Sequence, residues 1–245
     1  MANSKQLAKA ISEVLGVPLK TIEQIDRVLS EAGLRHVGGR GPFAAKMQAS
    51  DAANLLIAVA AAPVSGAFVK DAARNCRHYM SLTVSRNDAK PWFNGNSRIP
   101  QIAALPPMHS VADFLTAAIE AAISGDLQEA LTISYSSGIK QILPRAVEFQ
   151  FWGPLPQVRI SLSQPEVEQE PETHERKIYI DDSPQVDTKN DPDWTKKIHA
   201  WSDELCKKYG PHGDLEQIRI LTVTSILAVA RCLNEGSAPK PGTEE

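Results

Sequence analysis

The sequence has few cysteines, and they do not form a recognisable ligand set. Cys76, Cys206 and Cys232 are widely spaced and odd in number, and no Cys-x-x-Cys pair occurs. Neither a disulfide framework nor a cysteine-rich zinc site is therefore indicated. His199, Cys206 and His212 lie close along the chain, but their spacing matches no zinc signature and a fourth ligand is missing. We expect reduced thiols in a cytosolic protein and no bound metal.

Long apolar runs are also lacking. The two most apolar windows, Ala52–Val64 and Ile218–Leu233, are too short or too interrupted by polar residues to span a bilayer. The opening residues MANSK lack the apolar region of a secretory signal peptide. We therefore expect a soluble, cytoplasmic protein with no membrane partner.

Sequence motifs of common enzymes are missing as well. There is no Gly-x-Ser-x-Gly elbow, no GxxxxGK[ST] phosphate loop and no GxGxxG fingerprint. Ser134–Gly138 lacks the first glycine of the elbow. The acidic pair Asp181-Asp182 lacks a basic or aromatic setting that would suit acid–base work. We expect no enzymatic activity and no cofactor.

The charges are distributed unevenly along the 245 residues, of which 42% are hydrophobic and 22% charged. The formal net charge is −3, but residues 1–50 have a local net charge of +3 and residues 151–193 one of −6. A mildly acidic total does not decide whether nucleic acid is a partner, because the distribution of charge does. The basic front is the part to consider for such a role.

Hydrophobic periodicity predicts a compact module at the front. Pro18 separates two amphipathic segments, and Gly33 is placed to end the second one. The glycine-rich run Gly38–Gly41 indicates a turn. The predicted elements are a helix over Lys5–Leu15 capped by Ser4, a helix over Lys20–Ala32, two short strands over Leu34–Val37 and Phe43–Gln48, and a helix over Asp51–Ala62.

This order of elements resembles the winged helix-turn-helix of bacterial and phage transcription regulators. The run Leu29–Leu34 is similar to the way their recognition helix enters the wing, and Gly39-Arg40-Gly41 resembles a wing tip. The resemblance covers residues 1–65, about a quarter of the chain. The family usually has a further helix first, whereas only Met1–Ser4 precede the first helix here. The resemblance implies a double-stranded DNA partner and a homo-oligomer, usually a dimer.

The second helix would present the DNA-binding side chains. Lys20 and Thr21 lie at its start, where backbone N–H groups favour a phosphate. Gln24 and Arg27 share the outward stripe and are side chains that read adenine and guanine. Arg40 on its glycine tip could reach a narrow minor groove. The candidate DNA-binding residues are Lys20, Thr21, Gln24, Arg27, Arg40 and Lys46.

Acidic residues keep other interpretations open. Glu23, Asp26 and Glu31 lie in the same helix, and carboxylates repel phosphates. The same module could instead contact protein in a structural or adaptor protein, for instance a phage packaging or assembly component. It could also be an amphipathic helix pair with a solvated face.

Residues 66–235 are predicted to form an α+β domain that would supply dimerisation, effector sensing or contact with a protein partner. Its Lys70, Arg74 and Arg77 would share one helical face beside His78. Residues 236–245 are expected to be a disordered tail. The predicted elements are helices over Gly66–Leu82, Val111–Ser124, Asp193–Lys208 and Ser225–Asn234, a hairpin of Val147–Trp152 and Gln157–Leu162, and strands over Lys177–Ile180 and Ile218–Val223.

Overall fold

The computed structural model describes residues 2–37, 45–62, 68–135, 139–153, 155–165, 172–181, 191–209 and 217–235. The described residues form a mixed α+β fold, which confirms the predicted class. Its helices are α1 (Ser4–Leu15), α2 (Leu19–Glu31), α3 (Ala49–Ala60), α4 (Ala72–Met80), α5 (Pro100–Ala103), α6 (Val111–Ser124), α7 (Asp126–Leu131), α8 (Trp194–Tyr209) and α9 (Val223–Glu235). Its strands are β1 (Thr83–Val84), β2 (Thr132–Ser134), β3 (Lys140–Ile142), β4 (Val147–Gly153), β5 (Gln157–Gln164), β6 (Thr173–Ile180) and β7 (Gln217–Thr222).

The first two helices begin and end close to their predicted limits. Asn3, rather than Ser4, caps α1: its side chain accepts from the backbone N–H of Gln6 at 3.0 Å, and the Gln6 side chain accepts from the backbone N–H of Asn3 at 2.9 Å. This reciprocal pair is a capping box. Beyond α2, Gly33 adopts a φ of 69°, a left-handed conformation that stops the helix.

The predicted wing strands are not found. The described parts of the two segments, residues 34–37 and 45–48, contain no strand. The intervening Gly38–Ala44, which includes Arg40, lies outside the described residues. The prediction of strands over Leu34–Val37 and Phe43–Gln48 is therefore wrong where the structure describes them, and the described front is built of helices alone.

The backbone groups of these two segments are bonded to α3 and to the N-terminus instead of to each other. One carboxylate oxygen of Asp51 accepts from the backbone N–H of His36 at 2.8 Å, and the other accepts from that of Gln48 at 2.9 Å. The backbone N–H of Met47 donates to the carbonyl of Ala2 at 2.9 Å. Because these polar groups are satisfied by other partners, the alternation of apolar residues did not produce a hairpin.

The main sheet is antiparallel, with the strand order β1-β6-β5-β4-β7. The predicted hairpin is the β4–β5 pair, and Phe149 lies opposite Ile160 at its centre. The predicted third strand is longer than expected, since β6 begins at Thr173 rather than at Lys177. Strands β2 and β3 form a separate pair that the sequence did not indicate.

Apolar helices cover the inner face of this sheet. Helix α3 packs against α6, α6 against α9, and α1 against α9, and their buried side chains join those of the sheet in one hydrophobic cluster. Helix α6 matches its predicted limits, with Ser110 and Asp113 as its capping box and Gly125 at its end. The division at residues 65 and 66 stays a prediction, although helices from both sides of it share this core.

One region of the second half is less regular than predicted, whereas helix α8 lies where it was predicted. The described part of the predicted helix over Gly66–Leu82 is a 3-10 turn, Phe68–Asp71, followed by α4. Helix α8 has no side chain classed as buried, and Trp201 attaches it to the sheet by an N–H bond of 2.9 Å to the carbonyl of Asp181. Among the described residues, no helix is both long enough and apolar enough to cross a membrane.

Candidate nucleic-acid interface

Helix α2 presents three of the six candidate residues on one exposed face. Lys20, Gln24 and Arg27 are all exposed. They are exposed because the apolar side chains on the other side of α2, those of Ile22, Ile25 and Leu29, are at most 2% accessible. Helical periodicity in the sequence predicted this arrangement, and the structure brings the three residues together as expected.

The Arg27 side chain is paired on this face, but loosely. Its Nε lies 2.9 Å from a carboxylate oxygen of Glu31, one helical turn away, and the two side chains are 80% and 64% exposed. Ion pairs this exposed contribute at most about 1 kcal/mol. The guanidinium can therefore exchange this carboxylate for another anion at small cost.

Asp26 does not belong to the exposed face. Its carboxylate is buried, with an oxygen 2.8 Å from Nε of Arg35. Burial raises the pKa of Asp26, the Arg35 guanidinium opposes that rise, and the nearby Asp51 carboxylate adds to it. One of the three carboxylates that could have repelled a phosphate is thus turned inward, while Glu23 and Glu31 remain exposed.

The other three candidate residues are placed differently. Thr21 is half-buried and lines an apolar cavity with Leu15, Val17 and Ile25, so its side chain faces inward rather than along the stripe. Lys46 is exposed in the segment that precedes α3. Arg40 lies outside the described residues.

Helix α4 supports α2 through a contact that the sequence did not reveal. The Arg77 guanidinium donates to the carbonyl of Ala32, just beyond α2, at 2.9 Å. A cation at this position donates to a terminal carbonyl and interacts favourably with the negative end of the helix dipole. Arg77 was predicted to share one helical face with Lys70 and Arg74; it is exposed, as they are, and it also holds the end of α2.

A buried polar cluster lies on the inner face of the sheet, where Tyr179 and Lys177 project from β6. The His109 ring donates through Nδ1 to the carbonyl of Pro106 at 2.6 Å, because a carbonyl only accepts. Its Nε2 then accepts from the Tyr179 hydroxyl at 2.6 Å and from the Trp92 indole at 3.2 Å. Burial lowers the pKa of His109, and this hydrogen-bond arrangement requires a neutral ring.

Lys177 extends the same cluster. Its ammonium donates to the carbonyls of Asp88 and Lys90 at 3.1 and 2.6 Å and pairs with Glu175 at 3.1 Å. All three protons of a side chain only 1% exposed are thereby used. The cluster has the character of a structural support, since its groups satisfy one another away from the surface.

Comparison with known proteins adds no assignment. No protein-family model, no curated protein and no solved structure matches this chain. Among the described residues, no group of three or more His, Cys, Asp or Glu side chains is placed to hold a metal ion.

Proposed function

We propose that this protein binds double-stranded DNA through the exposed face of α2, as a transcriptional regulator of a bacterium or a prophage. The observation that supports this most is the grouping of Lys20, Gln24 and Arg27 on one exposed face from which Asp26 is withdrawn. The surrounding positive charge of residues 1–50 favours a polyanion.

The exposed side chains suit the major groove. Gln24 can make paired hydrogen bonds to adenine, and Arg27 to guanine. Lys20 lies in the first turn of α2, where Pro18 at the cap position offers no side-chain acceptor to the backbone N–H groups. In this proposal Thr21 belongs to the same first turn as Lys20, and Arg40 and Lys46 contact the DNA backbone or the minor groove.

The protein would act as a dimer, because paired helices one turn of DNA apart read a palindromic site. Residues 66–235 would supply dimer contacts, effector sensing or contact with a protein partner. Sedimentation of the full chain with and without a retarded DNA fragment would count the copies on each site.

An electrophoretic shift assay with genomic fragments tests the proposal. We expect Arg27→Gln to weaken binding to a selected fragment by about tenfold, since a bidentate contact to a base is worth roughly 1–3 kcal/mol. Lys20→Gln should reduce the dependence on salt by roughly one phosphate contact. The matched control is Lys9→Gln: Lys9 on α1 also pairs with a glutamate one turn away, Glu13 at 3.7 Å, and is similarly exposed.

The test also separates the alternative function. The exposed Glu23 and Glu31 favour contact with protein, as in a phage or bacterial structural or adaptor protein. DNA binding should weaken steeply as salt rises, whereas an apolar protein interface should change little. If no fragment is retarded at low salt, or if Arg27→Gln and Lys20→Gln both behave like Lys9→Gln, the DNA-binding proposal is wrong.

A further inference from the structure

A cavity with a cationic lining lies away from the exposed face of α2. It has a volume of about 410 Å³ and lies among the C-terminal end of α3, helix α4, strands β4 and β7 and the end of α8. Sites for small ligands usually have volumes of about 300 Å³ or more, so this cavity is large enough to hold one. Its lining includes the polar side chains of Arg74, His78, Tyr79, Lys208, Tyr209 and Arg219.

Among the described residues, positive charge exceeds negative charge around this cavity. Among the described residues that line it, Asp71 is the carboxylate, and it pairs with Arg74 at 3.1 Å. A second carboxylate, Asp181, is not among the lining residues but accepts from the ammonium of Lys208 and from the hydroxyl of Tyr209, the latter at 2.7 Å. Arg74, Lys208 and Arg219 supply three positive charges, and the two carboxylates supply two negative charges. An excess of one positive charge therefore remains even when His78 is neutral.

The pKa of His78 depends on the charges around the cavity. Its ring lies edge-on to Tyr209, with 5.1 Å between ring centroids. Burial lowers the pKa of His78, and the cations Arg74 and Lys208 lower it further, against the opposing effect of Asp181. An anion that entered the cavity would remove part of this repulsion.

Arg219 supplies the second guanidinium of the lining and its third cation. It projects from β7 and donates to the carbonyl of Val59 near the end of α3 at 2.9 Å. Burial lowers the pKa of Arg219. The bond to Val59 uses one nitrogen of a side chain with five N–H donors, so it holds the guanidinium in place without exhausting its capacity.

We propose that this cavity binds a small oxyanion, the phosphate or carboxylate group of a ligand, between Arg74, His78 and Lys208, with Arg219 behind them. Guanidinium and ammonium groups that converge on a partly enclosed space are the usual partners of such groups. The proposal is independent of the DNA-binding face, because none of these four residues belongs to α2.

Histidine NMR on the full chain tests it, with inorganic phosphate and acetate as probes at an ionic strength held constant with chloride. The His78 signal is assigned by its loss in His78→Gln. We expect a saturable shift of that signal with at least one probe, together with a rise in the pKa of His78. If phosphate binds more tightly than acetate, the ligand carries a phosphate group. If acetate binds more tightly, the ligand carries a carboxylate.

Matched variants decide whether the response comes from this cavity. Arg74→Gln and Lys208→Gln should each weaken probe binding by about tenfold, because each removes a cation that donates a charge-assisted hydrogen bond to the probe. Their side chains are 65% and 57% exposed, so both variants should fold, which circular dichroism checks. Arg231→Gln, on the exposed side of α9, should bind as the wild type does. A response no larger than that to chloride, or one unchanged in both variants, would overturn the proposal.

Discussion

Nε of Arg35 lies 2.8 Å from a carboxylate oxygen of Asp26, and the two side chains are only 12% and 11% exposed. The pair joins the inner side of α2 to the segment that follows it. The same guanidinium donates to the carbonyl of His36 at 2.8 Å, so it also holds the backbone there. Helical spacing places Asp26 on the same side of α2 as Ile22 and Leu29, and Arg35 compensates its charge there.

Removing the cation of this pair should destabilise the fold strongly. In Arg35→Met the Asp26 carboxylate stays buried without its partner, and such a loss costs about 3 kcal/mol. Arg27→Met is the control, because it breaks the exposed pair with Glu31 and should cost less than about 1 kcal/mol. Urea denaturation measures both free energies of unfolding. If both substitutions lower the free energy of unfolding equally, the buried pair contributes no more to stability than the exposed pair.

The neutral His109 ring should make stability depend on pH. Its pKa is lowered in the folded state from 6.5, so the unfolded chain binds the extra proton more readily. The contribution of His109 is therefore present above pH 6.5 and is lost as the pH falls through its folded pKa. We expect the free energy of unfolding to decrease between pH 7.5 and pH 5 in urea denaturation.

A substitution isolates this effect from that of other histidines. His109→Phe should be less stable at pH 7.5, because the Tyr179 hydroxyl and the Trp92 indole lose their acceptor, at about 1–3 kcal/mol for each buried donor. Its stability should vary less with pH than that of the wild type. His78→Gln is the control for the other histidine with a lowered pKa. An unchanged pH slope in His109→Phe would contradict the assignment.

Lys177 should hold a strained turn in place. Phe93 and Asn94 have φ values of 51° and 53°, left-handed conformations that cost L-residues roughly 1–2 kcal/mol each. The Phe93 backbone N–H donates to Glu175, the carboxylate that Lys177 also contacts. We expect Lys177→Met to speed amide hydrogen exchange in residues 86–95, measured by mass spectrometry, more than in α6. Uniform acceleration would mean that Lys177 acts on the whole fold.

Gly125 should resist substitution for a conformational reason alone. It ends α6 with a φ of 96°, and no atom lies within 4 Å of the position a Cβ would occupy. Gly125→Ala should therefore cost about 1–2 kcal/mol from backbone strain and nothing from collision. Gly153→Ala, where no positive φ is required and the nearest atom is the Tyr79 hydroxyl oxygen at 3.4 Å, should change stability little. Thermal unfolding measures the melting temperatures of the two variants. Similar melting temperatures would contradict the role of the positive φ at Gly125.

Local signals in the sequence predicted most of the regular elements. The limits of α6 were predicted to the residue, and in the structure Ser110 caps one end of this helix and Gly125 ends the other. The β4–β5 hairpin was predicted from alternation, and Phe149 and Ile160 are both buried as expected. The exposure of Lys20, Gln24 and Arg27 followed from the same periodicity.

Contacts between distant residues decided what the sequence did not show. In the segments expected to pair as a wing, the backbone N–H groups of His36 and Met47 donate to Asp51 and Ala2, acceptors that lie far away in the sequence. The lining of the cationic cavity comes from α4, α8 and β7, so its residues are scattered along the chain.

By itself, the sequence determined the α+β class, the limits of α6 and which side of α2 is polar, because caps, turns and hydrophobic periodicity act within a few residues. Only the tertiary structure decided that Asp26 and Lys177 are buried and that the described front has no strand. A buried charge is stable only beside a partner that compensates its lost hydration, and here Arg35 or the carbonyls of Asp88 and Lys90 supply that partner after folding.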